Sequence, residues 1–195
     1  LNCEREGELL CEHCKEVYWP RMPKPACPCC QEIGSERVCK GCIETTSLDG
    51  LSTMASYADP CVREAIHLWK YHGDEKALEV LQRWISGQAM HLCIPLSCSA
   101  IVPVPLHKRR ERFRGFDQAQ VLSKAFSKSF GLTHHECLER VQMTTPQAVR
   151  HHTERAFDDL EGIFNVKGDV PPAVLLCDDV FTSGATMNAA AQCLK

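Results

Sequence analysis

The run from Val174 to Thr186, Val-Leu-Leu-Cys-Asp-Asp-Val-Phe-Thr-Ser-Gly-Ala-Thr, constrains the fold more than any other part of the chain. It reads as a buried strand, two adjacent carboxylates, and a tight turn of hydroxyls and glycine that opens a helix. That order of parts suits a ribose 5-phosphate. A helix N-terminus offers unbonded backbone N–H groups and a favourable dipole to an anion. Gly184 lets the backbone approach a phosphate closely. Thr182, Ser183 and Thr186 add hydroxyl donors, with Ala185 between them in the turn. Asp178 and Asp179 stand where acceptors can take sugar hydroxyls.

The rest of the chain supplies the elements such a turn needs. Val62, Ala65, Ile66 and Trp69 recur at helical spacing, as do Ala77, Leu78, Leu81, Trp84, Ile85 and Met90. Ala119, Leu122, Ala125, Phe126 and Phe130 give a further amphipathic helix that stops at Gly131. Ala100 to Pro105 reads as a β-branched strand ended by prolines. Ile163 to Val166 and Ala173 to Cys177 read as two more strands. Residues 107–116 read as a basic loop, and 140–160 as polar and irregular. This alternation predicts an α/β domain, with a mostly parallel sheet and helices on both faces. In such sheets ligands bind at the C-terminal ends of strands. The Asp178-Asp179 turn and the segment from Pro103 to Gly115 both come directly after strands, so they can converge on one cleft. The expected division is a cysteine-rich module over 1–46, a helical connecting segment over 47–99 and the sheet domain over 100–195.

Eight of the fourteen cysteines fall in the first 42 residues. That region is poor in large aliphatics and cannot build a core unaided, so it calls for metal or disulfides. Cys27-Pro-Cys-Cys30 and Cys39-Lys-Gly-Cys42 are two CxxC knuckles. Each presents two thiolates to one ion, and together they complete the tetrahedron of a structural zinc ribbon. Cys29 is the bystander, although it can compete with Cys30. Cys11-Glu-His-Cys14 is a third knuckle with Cys3 as its partner, which makes a double ribbon, holding one or two zinc ions, the expectation. A cysteine just before Leu1 would complete the fourth knuckle. The missing initiator Met and the final helix without a C-cap signal read as a piece of a longer protein, cut at both ends.

The remaining cysteines are scattered through mostly apolar surroundings, as in a reducing, cytoplasmic compartment. No apolar run is long enough to span a bilayer. The net charge of −3 excludes a generic polyanion binder. Residues 1–50 hold six Lys/Arg against nine Asp/Glu, and a four-thiolate zinc adds two negative charges. The ribbon is therefore a poor partner for phosphates, and folding or protein contacts are its expected work. The cationic density lies instead in Lys108, Arg109, Arg110, Arg112 and Arg114. Arginines after a strand of this sheet can neutralise a pyrophosphate and its metal ion, and a DNA backbone is the competing use. His107 sits at the mouth of the expected cleft. The other isolated histidines (His67, His91, His134, His135, His151, His152) lack ligand spacing and read as surface or helix residues.

These motifs together resemble the ComF family of phosphoribosyltransferase-like proteins, of the competence and DNA-utilisation type. The resemblance runs nearly end to end: the CxxC ribbons, Leu68-Trp-Lys70-Tyr-His-Gly73, Val102-Pro-Val-Pro-Leu-His-Lys-Arg-Arg110, Arg114-Gly-Phe-Asp-Gln118, Arg140 with Thr144 to Gln147, Arg155, Phe164, and the run 174–186. Three positions depart from the family pattern. Asp117 and Asp158 stand where it usually has Asn, and Ser183 where it usually has Thr. Asp117 puts a carboxylate beside the basic segment, where it weakens anion binding.

The resemblance implies a type I phosphoribosyltransferase fold. It implies that Asp178 and Asp179 take the ribose 2′ and 3′ hydroxyls of phosphoribosyl pyrophosphate, and that residues 182–186 take its 5-phosphate. The segment after Val104, with His107, Lys108, Arg109, Arg112 and Arg114, would face the pyrophosphate and Mg²⁺. The expected chemistry is pentosyl transfer, in which a nucleophile displaces pyrophosphate at the anomeric carbon. The implied setting is DNA uptake in natural transformation, with phosphoribosyl pyrophosphate, single-stranded DNA and DNA-uptake proteins as partners. The competing reading is a catalytically inactive zinc-ribbon adaptor, or a single-stranded-DNA-binding protein, built on the same fold.

Overall fold

The computed structural model describes residues 10–92, 94–143, 160 and 162–195. Cys3, Cys93, Thr144 to Gln147, His151, His152, Arg155 and Asp158 lie outside the described residues. A short helix α1 (Glu12–Val17) is joined by a long connection to α2 (Pro60–His72) and α3 (Glu75–Gln88). Then come β1 (Ala100–Pro103), α4 (Lys108–Arg114), α5 (Gln118–Phe130), β2 (Thr133–His134) and β3 (Leu138–Arg140). The chain ends in β4 (Phe164–Val166), β5 (Val174–Cys177) and α6 (Ala185–Leu194).

Helix boundaries obey local chemistry. Asp59 caps α2 by accepting from the N–H groups of Cys61 and Val62, and Asp74 caps α3 through Lys76 and Ala77. Asp59 is held in turn by the Tyr18 hydroxyl, which donates to its Oδ2 at 2.6 Å. Segment 107–116, expected as a loop, is largely helical. His107 Nδ1 accepts from the Arg109 N–H at 3.2 Å to start α4, and a left-handed Gly115 ends it.

The sheet is parallel, in the order β2-β1-β5. Ala100, Ile101, Val102 and Pro103 pair with Val174, Leu175, Leu176 and Cys177. Strand side chains alternate between faces, and the core divides accordingly. Ile101, Leu175 and Cys177 pack with α2, α3 and α5. Val102, Val174 and Leu176 pack on the other side with Ala185 and Ala190 of α6 and with Phe164. All four β1 residues are buried, as the central strand of a covered parallel sheet requires. Leu10, Cys11 and Cys14 join the α2–α3 side of the core. β3 and β4 form a separate antiparallel pair. The short strands β2 and β3 carry no pattern that the sequence alone reveals. Among the described residues, no helix is long and apolar enough to cross a membrane.

Ile101 is fully buried at the middle of the sheet. Ile101→Ala is expected to cost about 2–5 kcal/mol through lost burial and a residual cavity. Urea denaturation monitored by far-ultraviolet circular dichroism measures it.

Candidate functional site

Because β1 lies between β2 and β5, the chain leaves its C-terminal end toward one neighbour and later returns beside it on the other. A crevice opens at such a point, outside the carboxyl ends of the strands. Here it is a cleft of about 160 Å³, with Val104 to Leu106 on one wall and Asp178 and Asp179 on the other. The ladder continues to its floor, where the Val104 N–H donates to the Cys177 carbonyl at 2.8 Å.

Among the described residues, four cations and three carboxylates line this space: Lys70, Arg110, Arg114 and Arg140 against Asp117, Asp178 and Asp179. Helical spacing explains which members of the basic segment arrive. Arg110 and Arg114 are one turn apart on α4 and share a face. Lys108, Arg109 and Arg112 are exposed on the other faces and do not line the cleft. His107 does not line it either, since its ring nitrogen serves as the cap of α4. Arg114 donates to Gln118 Oε1 at 3.0 Å, and its guanidinium lies over the Tyr71 ring at 5.4 Å.

Asp178 Oδ1 accepts the Asp179 backbone N–H at 2.8 Å. Burial, and then the adjacent Asp179 charge, push the Asp178 carboxyl up to about 7, against the pull of that N–H and of Lys70. Lys70 Nζ lies 2.6 Å from Asp179 Oδ2. Asp117 is buried at the head of α5, where Oδ2 accepts the Leu106 N–H at 2.6 Å and Oδ1 the Gln120 N–H at 3.3 Å. Burial raises its pKa while those N–H groups lower it. Its oxygens are thus turned to backbone, and it ties the segment after β1 to α5. Arg140 is half-buried, and its pKa is lowered by desolvation and by Arg110 nearby.

The turn after the acid pair carries the chain into α6. Gly184 is its N-cap, at φ +78°. A Cβ there would also meet the Phe181 ring at 2.7 Å, so both backbone and packing call for glycine. Gly184 brings no side chain to cap α6, and Ser183 Oγ accepts the Ala185 N–H at 3.4 Å. Thr186 lines the cleft; Thr182, Ser183, Gly184 and Ala185 lie beside it in the turn and do not form its wall. Sequence reasoning alone does not place Lys70 or Arg140 in a site. Each stands only within a segment of family likeness, far along the chain from the acid pair.

The second constellation is the cysteine ribbon. The Sγ atoms of Cys27, Cys30, Cys39 and Cys42 all lie within 4.8 Å of one another. Zn–S bonds of about 2.3 Å in a tetrahedron separate sulfurs by about 3.8 Å, and Cys30 Sγ lies 3.7 Å from Cys39 Sγ. The donor set therefore fits a structural zinc ion. The first knuckle is shaped by Cys27 N–H to Glu32 carbonyl and Gln31 N–H to Cys27 carbonyl hydrogen bonds, with Gln31 left-handed at φ +60°. Burial acts to raise the Cys27 thiol, but N–H groups of Cys39, Cys30 and Cys29 outweigh it and hold it at about 6. Such a thiol is ready to ligate as thiolate. Of the expected first ribbon, Cys11 and Cys14 are buried in the core at the start of α1.

Cys39→Ser is expected to lower bound zinc from one equivalent at this cluster toward zero, measured by plasma mass spectrometry with a colorimetric zinc-release assay. A second expectation concerns pH. Asp178 ionises near 7 when folded and near 3.9 when unfolded. Its ionisation therefore opposes folding, so its favourable contribution is present below about pH 4 and is lost as pH rises through 7. Asp178→Asn should raise Tm at pH 8 by several degrees and leave Tm at pH 4 unchanged, as read by calorimetry.

No family model matches the chain, and no solved structure matches it. Named proteins do. The chain is 28% identical to competence protein ComFC of Bacillus subtilis (strain 168) over 200 residues, covering 97% of this chain and 79% of that protein. It is 27% identical over 212 residues to competence protein F of Haemophilus influenzae (strain ATCC 51907 / DSM 11121 / KW20 / Rd), covering 100% of this chain and 87% of that protein. Against the DNA utilization protein YhgH of Escherichia coli (strain K12) it is 27% identical over 197 residues, covering 95% of this chain and 83% of that protein. Similarity of this extent, to proteins named for competence and for DNA utilization and spanning both the cysteine cluster and the cleft, supports a ComF-family protein.

Proposed function

We propose that the cleft between β1 and β5 binds phosphoribosyl pyrophosphate, delivered as its Mg²⁺ complex, on a type I phosphoribosyltransferase-like scaffold. The observation that carries the reading is the acid pair at the end of β5, continued at once by a glycine turn into α6 and faced by arginines across one cleft. The 5-phosphate goes to the turn 182–186, where the first N–H groups of α6 and the hydroxyls of Thr182, Ser183 and Thr186 can donate. Asp178 and Asp179 accept the ribose 2′ and 3′ hydroxyls. Arg110, Arg114 and Arg140 take the pyrophosphate side, where planar guanidinium groups suit phosphate oxygens. Mg²⁺ would travel with the pyrophosphate and spread its charge.

The chemistry such a site suits is displacement of pyrophosphate at the anomeric carbon. Its rate would come from positioning and from stabilising the leaving anion. The names of the relatives attach competence and DNA utilization to those proteins. We carry that setting to this chain as a role in DNA uptake, in the cytoplasm, with zinc holding the cysteine module.

A second reading is favoured by one observation. Phe113 on α4 is 91% exposed within the segment of exposed cations Lys108, Arg109 and Arg112, and Tyr71, under the Arg114 guanidinium, is 60% exposed. Exposed aromatic rings among cations suit single-stranded DNA, whose bases stack on them. On that reading the chain is an adaptor.

Calorimetric titration with phosphoribosyl pyrophosphate and Mg²⁺ separates the two. Binding by the wild type that is lost in Asp178→Ala/Asp179→Ala supports the sugar-phosphate reading, and a wild type that fails to bind sinks it. Fluorescence anisotropy with a labelled oligonucleotide tests the adaptor. Binding that survives the aspartate changes but not Arg112→Ala/Phe113→Ala favours it.

A further inference from the structure

Lys70 has no place in the sugar-phosphate site as the sequence draws it, yet its ammonium reaches the acid pair. Nζ lies 2.6 Å from Asp179 Oδ2, and both side chains are largely covered, at 17% and 11% exposure. The reach is built into α2. Trp69, next to it in sequence, is 2% exposed and stacks on Phe116 with ring centroids 5.3 Å apart. Gly73 closes the helix directly afterwards, with its N–H on the Trp69 and Leu68 carbonyls. The last turn of α2 is therefore fixed against the segment that leads from α4 into α5, with Lys70 over the cleft.

Partial burial makes this pair costly unless something is gained from it. Asp178 and Asp179 are adjacent, and Asp117 adds a third carboxylate to the same cleft. Carboxylates this crowded tend to retain a proton between them. A protonated carboxyl offers a donor where a sugar hydroxyl needs an acceptor. The groups that set this balance come from every element around the pair. They are Lys70 from α2, Arg110 and Arg114 from α4, Asp117 before α5, Arg140 from β3, and the Cys177 thiol of β5, which burial pushes up. Among the described residues, Lys70 is the cation paired with Asp179.

We propose that Lys70 is a positioning residue of this cleft. It holds the Asp179 carboxylate in place through Oδ2, so that both aspartates accept from the cis-diol of a ribose phosphate. This rests on the sugar-phosphate reading above and adds a residue to it. Lys70 itself touches the acid pair, and the sugar is met by the aspartates.

The experiment compares wild type, Lys70→Met and Lys70→Arg in the full chain with zinc bound. Carboxyl-carbon NMR of ¹³C-aspartate-labelled protein gives the titration of Asp178 and Asp179 without any ligand. Calorimetry with phosphoribosyl pyrophosphate and Mg²⁺ gives affinity from pH 6 to 8.5. Lys70→Met should raise the titration midpoint of Asp178, which Lys70 lowers, by about one unit and weaken binding at pH 7 about tenfold. Part of the loss should return at pH 8.5, and Lys70→Arg should restore both readouts. An unchanged midpoint in Lys70→Met overturns the proposal, as does a loss of binding equal in the Met and Arg variants. A wild type that binds no phosphoribosyl pyrophosphate, while the midpoint still moves in Lys70→Met, overturns the sugar-phosphate reading and supports the hold of Lys70 on the pair.

Discussion

The parallel pairing of β1 with β5 sets where the rest of the molecule lies. Its register places Pro103 opposite Cys177, so the two strands end together. The segments leaving them are then forced to the same edge: Val104 to Leu106 from one, Asp178 and Asp179 from the other. A slip of one residue would exchange the faces, sending Leu175 and Cys177 away from α2, α3 and α5 and Leu176 away from α6. It would also turn the acid pair. The apolar packing on both faces therefore holds the geometry of a polar cleft.

That cleft is electrostatically mixed, and the mixture is informative. A purely basic cleft would suit any polyanion, whereas Asp178 and Asp179 among the cations of the described residues suit a ligand that carries both anionic groups and hydroxyl donors. The carboxylates are not equivalent. Asp117 spends its oxygens on the Leu106 and Gln120 N–H groups and works as a structural clamp. The expectation that it weakens anion binding treats it as a surface charge. Its burial and its backbone partners give it a different occupation. Asp178, by contrast, is half-buried and raised to about 7, in a state folding alone would not favour. Perturbation of this kind, with named causes and at a cleft, fits the sugar-phosphate site proposed above.

Periodicity makes the long elements legible. The spacing of Val62 to Trp69 and of Ala119 to Phe130 marks α2 and α5, and Asp59-Pro60 and Gly131 mark where they begin and end. The strand before Asp178 is legible because it is a short apolar run between Pro172 and the acid pair. α4 is not, because a run of Lys and Arg carries no apolar stripe and none of its residues is buried. Its helical form rests on the cap at His107 and on Gly115, and only that form explains why Arg110 and Arg114 face the cleft while Arg112 does not. β2, two residues long, and β3, three, are too short for any alternation to show. Lys70 is illegible as a site residue for another reason. Its meeting with Asp179 is a product of tertiary packing across more than half the chain, which no local spacing encodes. The cysteine knuckles are the opposite case, since ligand spacing is local and the four Sγ atoms gather as CxxC turns require.

The two constellations are also joined to each other. Thr45 bonds back to the Cys42 carbonyl through both its N–H and its hydroxyl. The next two residues reach across the fold, where the Thr46 hydroxyl and the Ser47 N–H both donate to Asn188 Oδ1 at 2.7 Å. Asn188 is in the first turns of α6, and its own N–H bonds the Gly184 carbonyl. Asp49 pairs with Lys195 at the other end of the same helix, although that exposed contact adds little. A small cysteine module has too little apolar surface to stay folded by burial, so an ion on its thiolates would supply the missing free energy. Whatever rigidity the ion gives the Cys39–Cys42 turn is passed through three residues to the amide of Asn188. The helix that opens at Gly184 is thus braced from outside the sheet as well as by its packing on Val102 and Val174. Anion recognition by backbone N–H groups depends on their being held in place before the ligand arrives. A metal site far from the cleft in sequence therefore bears on how well the turn 182–186 is preorganised.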